Sequence, residues 1–390
     1  MPWLEVNPMD AKVLFISDWL RGIFNFSALC EVHGVSRKTG YKWVARYREM
    51  GLEGLVDQGR RPHSSPERIP FVVRREIISL RKTYKTWGPK KIGDLLRSMH
   101  PDWEIPSRTS IYNILKAEKL VPSRKRRRKV APRTNRLTPG GEPNDLWTAD
   151  FKGQFKTGDG TWCYPLTVMD DASRYLLGCT IFRGTFYAET REVFERLFGE
   201  YGLPKRIRTD NGTPFATTSI GGLSQLAVWW IRLGIVPERI SPGKPQQNSH
   251  HERMHLTMKN DAISPPSGTL RHQQKRIDEF RHVYNEIRPH ESLGMQSPRS
   301  VYRKSEREWQ GPLGEMEYPG YFQKALVNYN GTIWLHGQNV YLGYLMRGQE
   351  VGLNEIEGGR WVVYFGPVLL GYLKEDASGE VRFQGTTVKV

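Results

Sequence analysis

Cysteine and long apolar runs are both scarce in this 390-residue sequence. The three cysteines, Cys30, Cys163 and Cys179, are widely spaced and form no CxxC pair. This spacing excludes a disulfide framework and a cysteine-based zinc cluster, and it suits a reducing compartment. No run of about 18 apolar residues occurs, so we expect no membrane-spanning helix and no membrane partner.

A secretory signal is also missing from the sequence. The first residues, "MPWLEVNPMDAK", contain no charged segment followed by an apolar one. We therefore expect a protein that stays in the cytoplasm.

Acidic residues are few relative to basic ones, and the imbalance is uneven. The net charge is +17; residues 1–142 hold 29 Lys/Arg against 14 Asp/Glu, whereas residues 143–390 hold 29 against 27. A generally basic surface would spread this excess evenly. Its concentration in the first third favours a polyanion partner, because each phosphate contact releases counterions and adds affinity.

The first third of the sequence is typical of helical DNA-binding domains. In "FSALCEVHGVSRKTGYKWVARYRE", a small residue, Cys30, is followed by Gly34 at a turn and by Ser36 as the cap of the next helix. This spacing predicts a helix-turn-helix domain over residues 9–58, in preference to an ordinary helical hairpin. Its second helix would enter the major groove. The predicted DNA contacts on that helix are Arg37, Lys38, Thr39, Lys42 and Arg46.

A second helical unit and a basic segment follow. Residues 67–120 predict another helix-turn-helix domain, in which Ser107 or Thr109 begins the reading helix and Arg108 contacts DNA; a domain that only packs is the alternative. Residues 121–142 carry eight basic residues and one acid, which predicts a linker along a phosphate backbone rather than a solvated tether. Its predicted DNA contacts are Arg124, Lys125, Arg126, Arg127 and Arg128.

The remaining chain predicts two further domains. Residues 143–305 begin with three apolar strands and continue with alternating helices and strands, which predicts a mixed sheet flanked by helices. Residues 316–390 are rich in short strands, with Asn330-Gly331 as a hairpin signal, and predict a small all-β barrel.

Three carboxylates stand out in residues 143–305. Asp150 lies inside an apolar strand, where an unpartnered charge is costly. Asp210 ends the strand "KRIRTD" at a position where α/β sites gather ligands. Glu252 lies one turn into a helix that begins after Asn248. If the two strands are neighbours, the three carboxylates converge and suit one or two Mg²⁺ ions, which activate phosphoryl transfer.

Neighbouring residues offer competing interpretations. His255 and Lys259 follow Glu252 at helical spacing and would face the DNA, with plain solvent exposure as the alternative. Asp170 and Asp171 are rival carboxylates, but a turn at the end of a strand explains them without catalysis.

Four segments, "WTADFKG", "RTDNGTPF", "SPGKPQQNSHHERMHLTMK" and "YNEIRPHESLGMQSPRSVY", together resemble the integrase core of DDE transposases from bacterial insertion sequences. The resemblance covers about residues 143–305. It implies a ribonuclease-H-like fold and a triad of Asp150, Asp210 and Glu252 that binds two Mg²⁺ or Mn²⁺ ions. It also implies recognition of double-stranded element ends by the N-terminal domains, transfer to target DNA, and action as a homo-oligomer on the bacterial nucleoid.

The sequence departs from that family pattern in two places. Ser249 stands where the family usually has Gly, and a loop that requires a positive φ would be strained by Ser at a cost on the order of 1 kcal/mol. Asp210 and Glu252 are separated by 41 residues, more than in retroviral integrases. We expect a loop around "ATTSIGGLSQ" to absorb the extra length.

The segment His251–His255 also spells HExxH, the signature of zinc metalloproteases. The extended form of that motif needs Gly and a third ligand where this sequence has Met258 and Asp261. We therefore interpret the chain as a metal-dependent DNA transposase. The alternatives are a catalytically silent regulator derived from a transposase and, more remotely, a zinc protease.

Overall fold

The structure is a computed structural model that describes residues 7–57, 69–122, 137–217, 219–241, 245–311, 314–356, 360–375 and 379–386. The chain divides into two compact units, Met1–Arg68 and Ile69–Val390. Within the described ranges, each helix is too short or too polar to cross a membrane. All three cysteines are buried and free.

The first unit is a three-helix domain of α1 (Pro8–Arg21), α2 (Phe26–Val32) and α3 (Arg37–Met50). Gly34, with φ of +62°, reverses the chain between α2 and α3. The Ser36 hydroxyl accepts a hydrogen bond from the Thr39 amide at 3.2 Å and caps α3. The predicted helix-turn-helix arrangement is confirmed.

A second helical group begins the larger unit. It contains α4 (Phe71–Thr83), α5 (Pro89–Met99) and α6 (Arg108–Ala117). Ser107 caps α6 by accepting the Ser110 amide at 3.1 Å, as predicted. The core around Ile77, Ile92 and Ile111 also contacts Val283 and Ile287, so this group packs on the domain that follows.

A mixed sheet forms the centre of the larger unit. Its strands are β1 (Leu146–Phe151), β2 (Phe155–Lys156), β3 (Trp162–Asp170), β4 (Leu176–Phe182), β5 (Arg206–Thr209) and β6 (Val236–Arg239). They are ordered β4-β3-β1-β5-β6, with β2 also on β3. The β4-β3-β1 part is antiparallel, whereas β5 and β6 run parallel to β1. This is the sheet of the predicted ribonuclease-H-like fold.

Helices cover both faces of this sheet. They are α7 (Tyr187–Tyr201), α8 (Gln225–Arg232), α9 (Ser249–Met258), α10 (Leu270–His282) and α11 (Pro298–Val301), with π-helical turns at Lys259–Ile263 and Val283–Ile287. One core contains Trp147, Phe194 and Trp230. The core beneath α9 and α10 contains Met254 and Ile277. The sheet is therefore held between two apolar layers, which fixes the ends of its strands.

The C-terminal strands build an antiparallel domain whose core also includes Ala227, Val228 and Ile231 of α8. They are β7 (Gln323–Leu326), β8 (Thr332–Leu335), β9 (Gln338–Tyr341), β10 (Glu350–Ile356), β11 (Arg360–Phe365), β12 (Val368–Glu375) and β13 (Val381–Gly385). Five of them form a sheet in the order β13-β12-β11-β10-β7. The hairpin β8–β9 contacts β7 on one side and β13 on the other, so the strands enclose one core and the all-β prediction is confirmed.

The position of one predicted hairpin is wrong. Asn330-Gly331 does form a turn, but the strands on either side of it do not pair: β7 pairs with β10, and β8 pairs with β9. The turn at His336-Gly337 makes the actual hairpin.

Candidate active site

Asp150 lies near the end of a strand that is buried on both sides. Trp147 and Ala149 in β1 are fully buried, whereas the Asp150 side chain is 21% exposed. Its partner across the antiparallel β1–β3 pair is Thr167. This central strand therefore places one carboxylate near its own carboxyl end.

Asp210 reaches the same end of the sheet. β5 runs parallel to β1, with Ala149 opposite Thr209. The next residues along the chain, Asp150 and Asp210, are therefore neighbours. The Asp210 carboxylate accepts the Gly212 amide at 3.0 Å, which holds the turn after β5. The neighbouring strands on which the sequence interpretation depended are thus present.

Glu252 approaches from the helix layer. It is exposed in the first turn of α9. The pKa of Asp150 is raised to about 7, first by burial, then by the charge of Asp210 and, to a smaller extent, by that of Glu252, while Lys152 opposes the shift. The three carboxylates therefore share one electrostatic environment.

All three side chains offer carboxylate oxygens as ligands. Their negative charges repel one another, and a hard divalent cation bound between them would remove this repulsion. Across the described ranges, no group of three His, Cys, Asp or Glu side chains is close enough to hold a metal ion. The carboxylates of Asp150, Asp210 and Glu252 therefore influence one another electrostatically, but they do not lie close enough together to bind one ion. The three residues are of the type that binds divalent cations. For all three to bind one metal site, their side chains must move closer together.

Lys152 is a residue that the sequence analysis missed. It lies two residues after Asp150 on the same chain segment, and its positive charge lowers the pKa of both Asp150 and His255. The segment "TADFK" could have indicated Lys152, because residues two apart in extended backbone face the same side.

The two histidines of HExxH are buried rather than poised for zinc. His251 is fully buried and His255 is 7% exposed. The Nε2 atoms of both rings contact the Thr167 hydroxyl, at 2.6 Å and 2.7 Å respectively. These contacts occupy the nitrogens that a zinc ion would need, so the structure gives the protease interpretation no support.

The predicted DNA contact of His255 requires correction. Helical spacing from Glu252 suggested that it faces DNA, but the ring packs against the sheet, with Nδ1 3.7 Å from the Asp150 carboxylate. Lys259, by contrast, is exposed. The strain expected at Ser249 is also absent, because Ser249 begins α9 with helical backbone.

Asp170 and Asp171 have structural partners, as the turn interpretation predicted. Asp170 accepts the Asn144 amide at 2.7 Å and the Ser173 hydroxyl at 2.6 Å. Asp171 contacts the His250 imidazole at 2.7 Å, and this contact helps to lower its pKa to about 2 against the opposing effect of burial.

The other predicted DNA contacts lie in three places. Arg37, Lys38 and Lys42 are exposed on α3, and Arg108 is exposed at the start of α6. Thr39 is half-buried. Arg46 is also half-buried, with its guanidinium 5.3 Å from the Trp43 ring centre. The basic cluster lies outside the described residues; it comprises Arg124, Lys125, Arg126, Arg127 and Arg128.

Comparison with family models defines the class of protein. Residues 141–245 and 233–298 match models of the integrase core domain. Residues 12–63 match a helix-turn-helix domain, and residues 39–115 match a homeodomain-like domain. The chain thus combines helix-turn-helix domains with an integrase core domain.

Its homologues are proteins of bacterial insertion elements. A 39.2 kDa protein of IS476 from Xanthomonas euvesicatoria is 25% identical over 282 residues, covering 72% of this chain and 78% of that protein. The transposase InsD of IS2 from Escherichia coli is 26% identical over 234 residues, covering 56% of this chain and 74% of that protein.

Solved structures of viral integrases are also similar. The catalytic core of HTLV-2 integrase in complex with magnesium has a TM-score of 0.34 and 17% identity, covering 42% of this chain and 99% of that one. A simian T-cell lymphotropic virus intasome has a TM-score of 0.38 and 14% identity, covering 79% and 96%.

Proposed function

We propose that this chain is a DNA transposase that binds the ends of a mobile element and transfers DNA strands, using Mg²⁺ or Mn²⁺ at Asp150, Asp210 and Glu252. The observation that carries the proposal is the parallel pairing of β1 with β5, which makes Asp150 and Asp210 neighbours. Burial and the charges of Asp210 and Glu252 accordingly raise the pKa of Asp150. Burial also raises the pKa of Asp170, but hydrogen bonds from Ser173 and from the Asn144 amide oppose that effect and give this carboxylate a structural role.

In this proposal the protein supplies position and charge. Asp150 and Asp210 present oxygen atoms side by side, and Glu252 adds a third carboxylate from α9. Two bound ions would supply activation of the attacking oxygen and stabilisation of the leaving oxygen. The exposed Lys259 begins the π-helical turn that follows α9, and Lys152 adds positive charge beside Asp150, where a phosphate would approach.

The helical domains, which we assign to residues 9–58 and 67–120, would recognise the element ends as duplex DNA. The basic segment 121–142 would follow the backbone towards the core at 143–305. An element has two ends, so we propose that the chain acts as a homo-oligomer. Because the relatives belong to bacterial elements, the DNA substrate would lie in the cytoplasm, at the nucleoid.

A strand-transfer assay tests this proposal. Duplex oligonucleotides from the two ends of the surrounding element are incubated with the full chain and plasmid target. We expect joined products with Mg²⁺ or Mn²⁺ and none with EDTA. Binding of ends without joining in either metal would favour the silent regulator instead, and zinc-dependent proteolysis would overturn both.

Metal binding should depend on pH. In the metal-free protein Asp150 keeps its proton up to about pH 7, and a cation must displace that proton. We expect Mg²⁺ affinity to fall by about tenfold per pH unit below 7 and to level off above it. Titration calorimetry between pH 5.5 and 8.5 measures this, with about one proton released per site at pH 6. An affinity that does not change over that range would contradict the assignment.

The exposed cations of α3 should contribute to DNA affinity. Replacing Lys38 by Ala removes one phosphate contact, so the slope of log K against log salt should decrease by about one. The control is Arg21→Ala, which removes a 66% exposed cation from α1 of the same domain. Fluorescence anisotropy with end DNA provides both slopes. Equal losses in the two variants would show that only bulk charge matters.

A further inference from the structure

We infer that Thr148, Thr167, His251 and His255 form a buried hydrogen-bonded junction that holds α9 in the register at which Glu252 serves the active site. We call these four residues the Thr–His junction. The inference rests on the proposed function and makes the four residues positioning groups rather than metal ligands. It also gives a role to the HExxH segment that does not involve zinc.

The junction lies directly beside Asp150. Thr148 is two residues before Asp150 in β1, and Thr167 is opposite Asp150 in β3, so all three side chains share one face of the sheet. The His251 ring joins both threonines, with Nδ1 at 2.8 Å from the Thr148 hydroxyl and Nε2 at 2.6 Å from the Thr167 hydroxyl.

The Thr167 hydroxyl is the centre of the junction. It lies 2.7 Å from His255 Nε2 and 3.0 Å from the Asp150 backbone carbonyl. A hydroxyl has one hydrogen to donate and two lone pairs to accept with. If it donates to the Asp150 carbonyl, both imidazoles donate to it from Nε2, and His251 Nδ1 accepts from Thr148. This arrangement satisfies these contacts with both rings neutral. The Thr148 hydroxyl then gives its single hydrogen to His251 Nδ1 rather than to the Met169 carbonyl, which lies 3.2 Å away.

The rings lie on the buried stripe of α9. His251, Met254, His255 and Met258 follow the i, i+3, i+4, i+7 pattern and are each at most 7% exposed. Methionine is flexible and packs in many arrangements, so the two methionines alone would allow α9 to slide or rotate on the sheet. The imidazoles resist such a movement, because each hydrogen-bond partner that they lose leaves a buried polar group unsatisfied.

The register of α9 decides where Glu252 lies. Glu252 follows His251 directly and precedes His255 by three residues, so a shift of these rings moves its carboxylate by a similar amount. The contact between Thr167 and the Asp150 carbonyl fixes the end of β1 at the same time. The Thr167 hydroxyl therefore helps to position two of the three proposed ligands, Asp150 on β1 and Glu252 on α9.

A matched pair of variants tests the junction. Thr167→Val removes the hydroxyl and keeps the shape, whereas Thr167→Ser keeps the hydroxyl and removes a methyl group. We expect the Val variant to bind Mg²⁺ about ten- to a hundredfold more weakly by calorimetry, as for other residues that orient metal ligands. Its kcat for strand transfer should fall, while its Kd for end DNA stays within about twofold of wild type. The Ser variant should stay within about threefold throughout.

Several results would overturn the inference. One is a folded Val variant, verified by circular dichroism, that binds Mg²⁺ as wild type does. Another is a Ser variant as impaired as the Val variant, because only packing would then matter. If the Val variant does not fold, His255→Gln and His255→Leu decide: Gln places an amide donor near the position of Nε2 and should retain Mg²⁺ binding better than Leu. Equal binding by these two variants overturns the inference.

The same calorimetry separates this inference from the proposed function. Asp150→Asn should greatly weaken Mg²⁺ binding. If it does so while Thr167→Val has no effect, the junction is wrong and the triad stands. If Asp150→Asn leaves Mg²⁺ binding unchanged, the proposed function itself is wrong.

Discussion

Asp150→Asn is expected to slow strand transfer by a factor on the order of 10³ or more while leaving the Kd for end DNA unchanged. The amide keeps the size of the side chain but removes the charge that would hold a cation next to Asp210. In the proposed function, the helical domains bind the element ends, and this substitution lies outside them. Single-turnover joining of pre-cleaved ends measures the first effect, and anisotropy measures the second.

The matched control for this substitution is Asp159→Asn. Asp159 is a fully exposed carboxylate in the hairpin before β3, where it accepts the Thr157 hydroxyl and the Thr161 amide. Its loss should leave joining within about threefold of wild type. Joining by Asp150→Asn at the wild-type rate would refute the assignment of Asp150 as a metal ligand.

The same substitution should stabilise the metal-free protein at high pH. The folded-state pKa of Asp150, about 7, lies above its ordinary value of 3.8. Folding therefore favours the protonated form, so stability is highest at low pH and decreases as the pH rises towards 7. Asn cannot ionise and avoids this loss. At pH 8 in EDTA we expect Asp150→Asn to be more stable by on the order of 2 kcal/mol, with little difference near pH 4.5.

Thermal unfolding followed by tryptophan fluorescence measures this difference. An increase of about 2 kcal/mol in the free energy of unfolding corresponds to a rise in Tm of roughly 4–8 °C for a domain of the size of residues 143–305. Mg²⁺ should reduce the difference, since it stabilises only the wild-type site. Asp159→Asn should not be stabilised at high pH, because the Thr157 hydroxyl lowers the pKa of Asp159. A destabilised Asp150→Asn protein at pH 8 would contradict the charge repulsion described here.

The sequence predicted the architecture well because its signals are local and redundant. Ser36 and Ser107 cap helices where the pattern placed them. The order of strands in residues 143–305 left few topologies for a mixed sheet. The pairing of β1 with β5, which the sequence interpretation had as a condition, is present. The C-terminal pairing was harder to foresee. Asn330-Gly331 favours a hairpin locally, yet β7 pairs with the distant β10, and propensity carries no information about such partners.

The site was predicted in part. Asp150, Asp210 and Glu252 were singled out by position, and the structure gathers their charges. His255 was misjudged because its spacing from Glu252 was considered alone. The stripe of His251, Met254, His255 and Met258 already indicated which face of α9 is buried. The partners of these histidines, Thr148 and Thr167, lie about 80 to 100 residues away in the chain, and only the folded sheet brings them together.

A crystal structure of the full chain with element-end DNA and Mn²⁺ would show whether Asp150, Asp210 and Glu252 bind the metal. Anomalous scattering would locate the metal without reference to the fitted side chains. We expect Mn²⁺ between the carboxylates of Asp150, Asp210 and Glu252, with His251 and His255 still hydrogen-bonded to Thr167. Mn²⁺ on the imidazoles of His251 and His255, or a Glu252 carboxylate remote from the other two in the DNA complex, would contradict it.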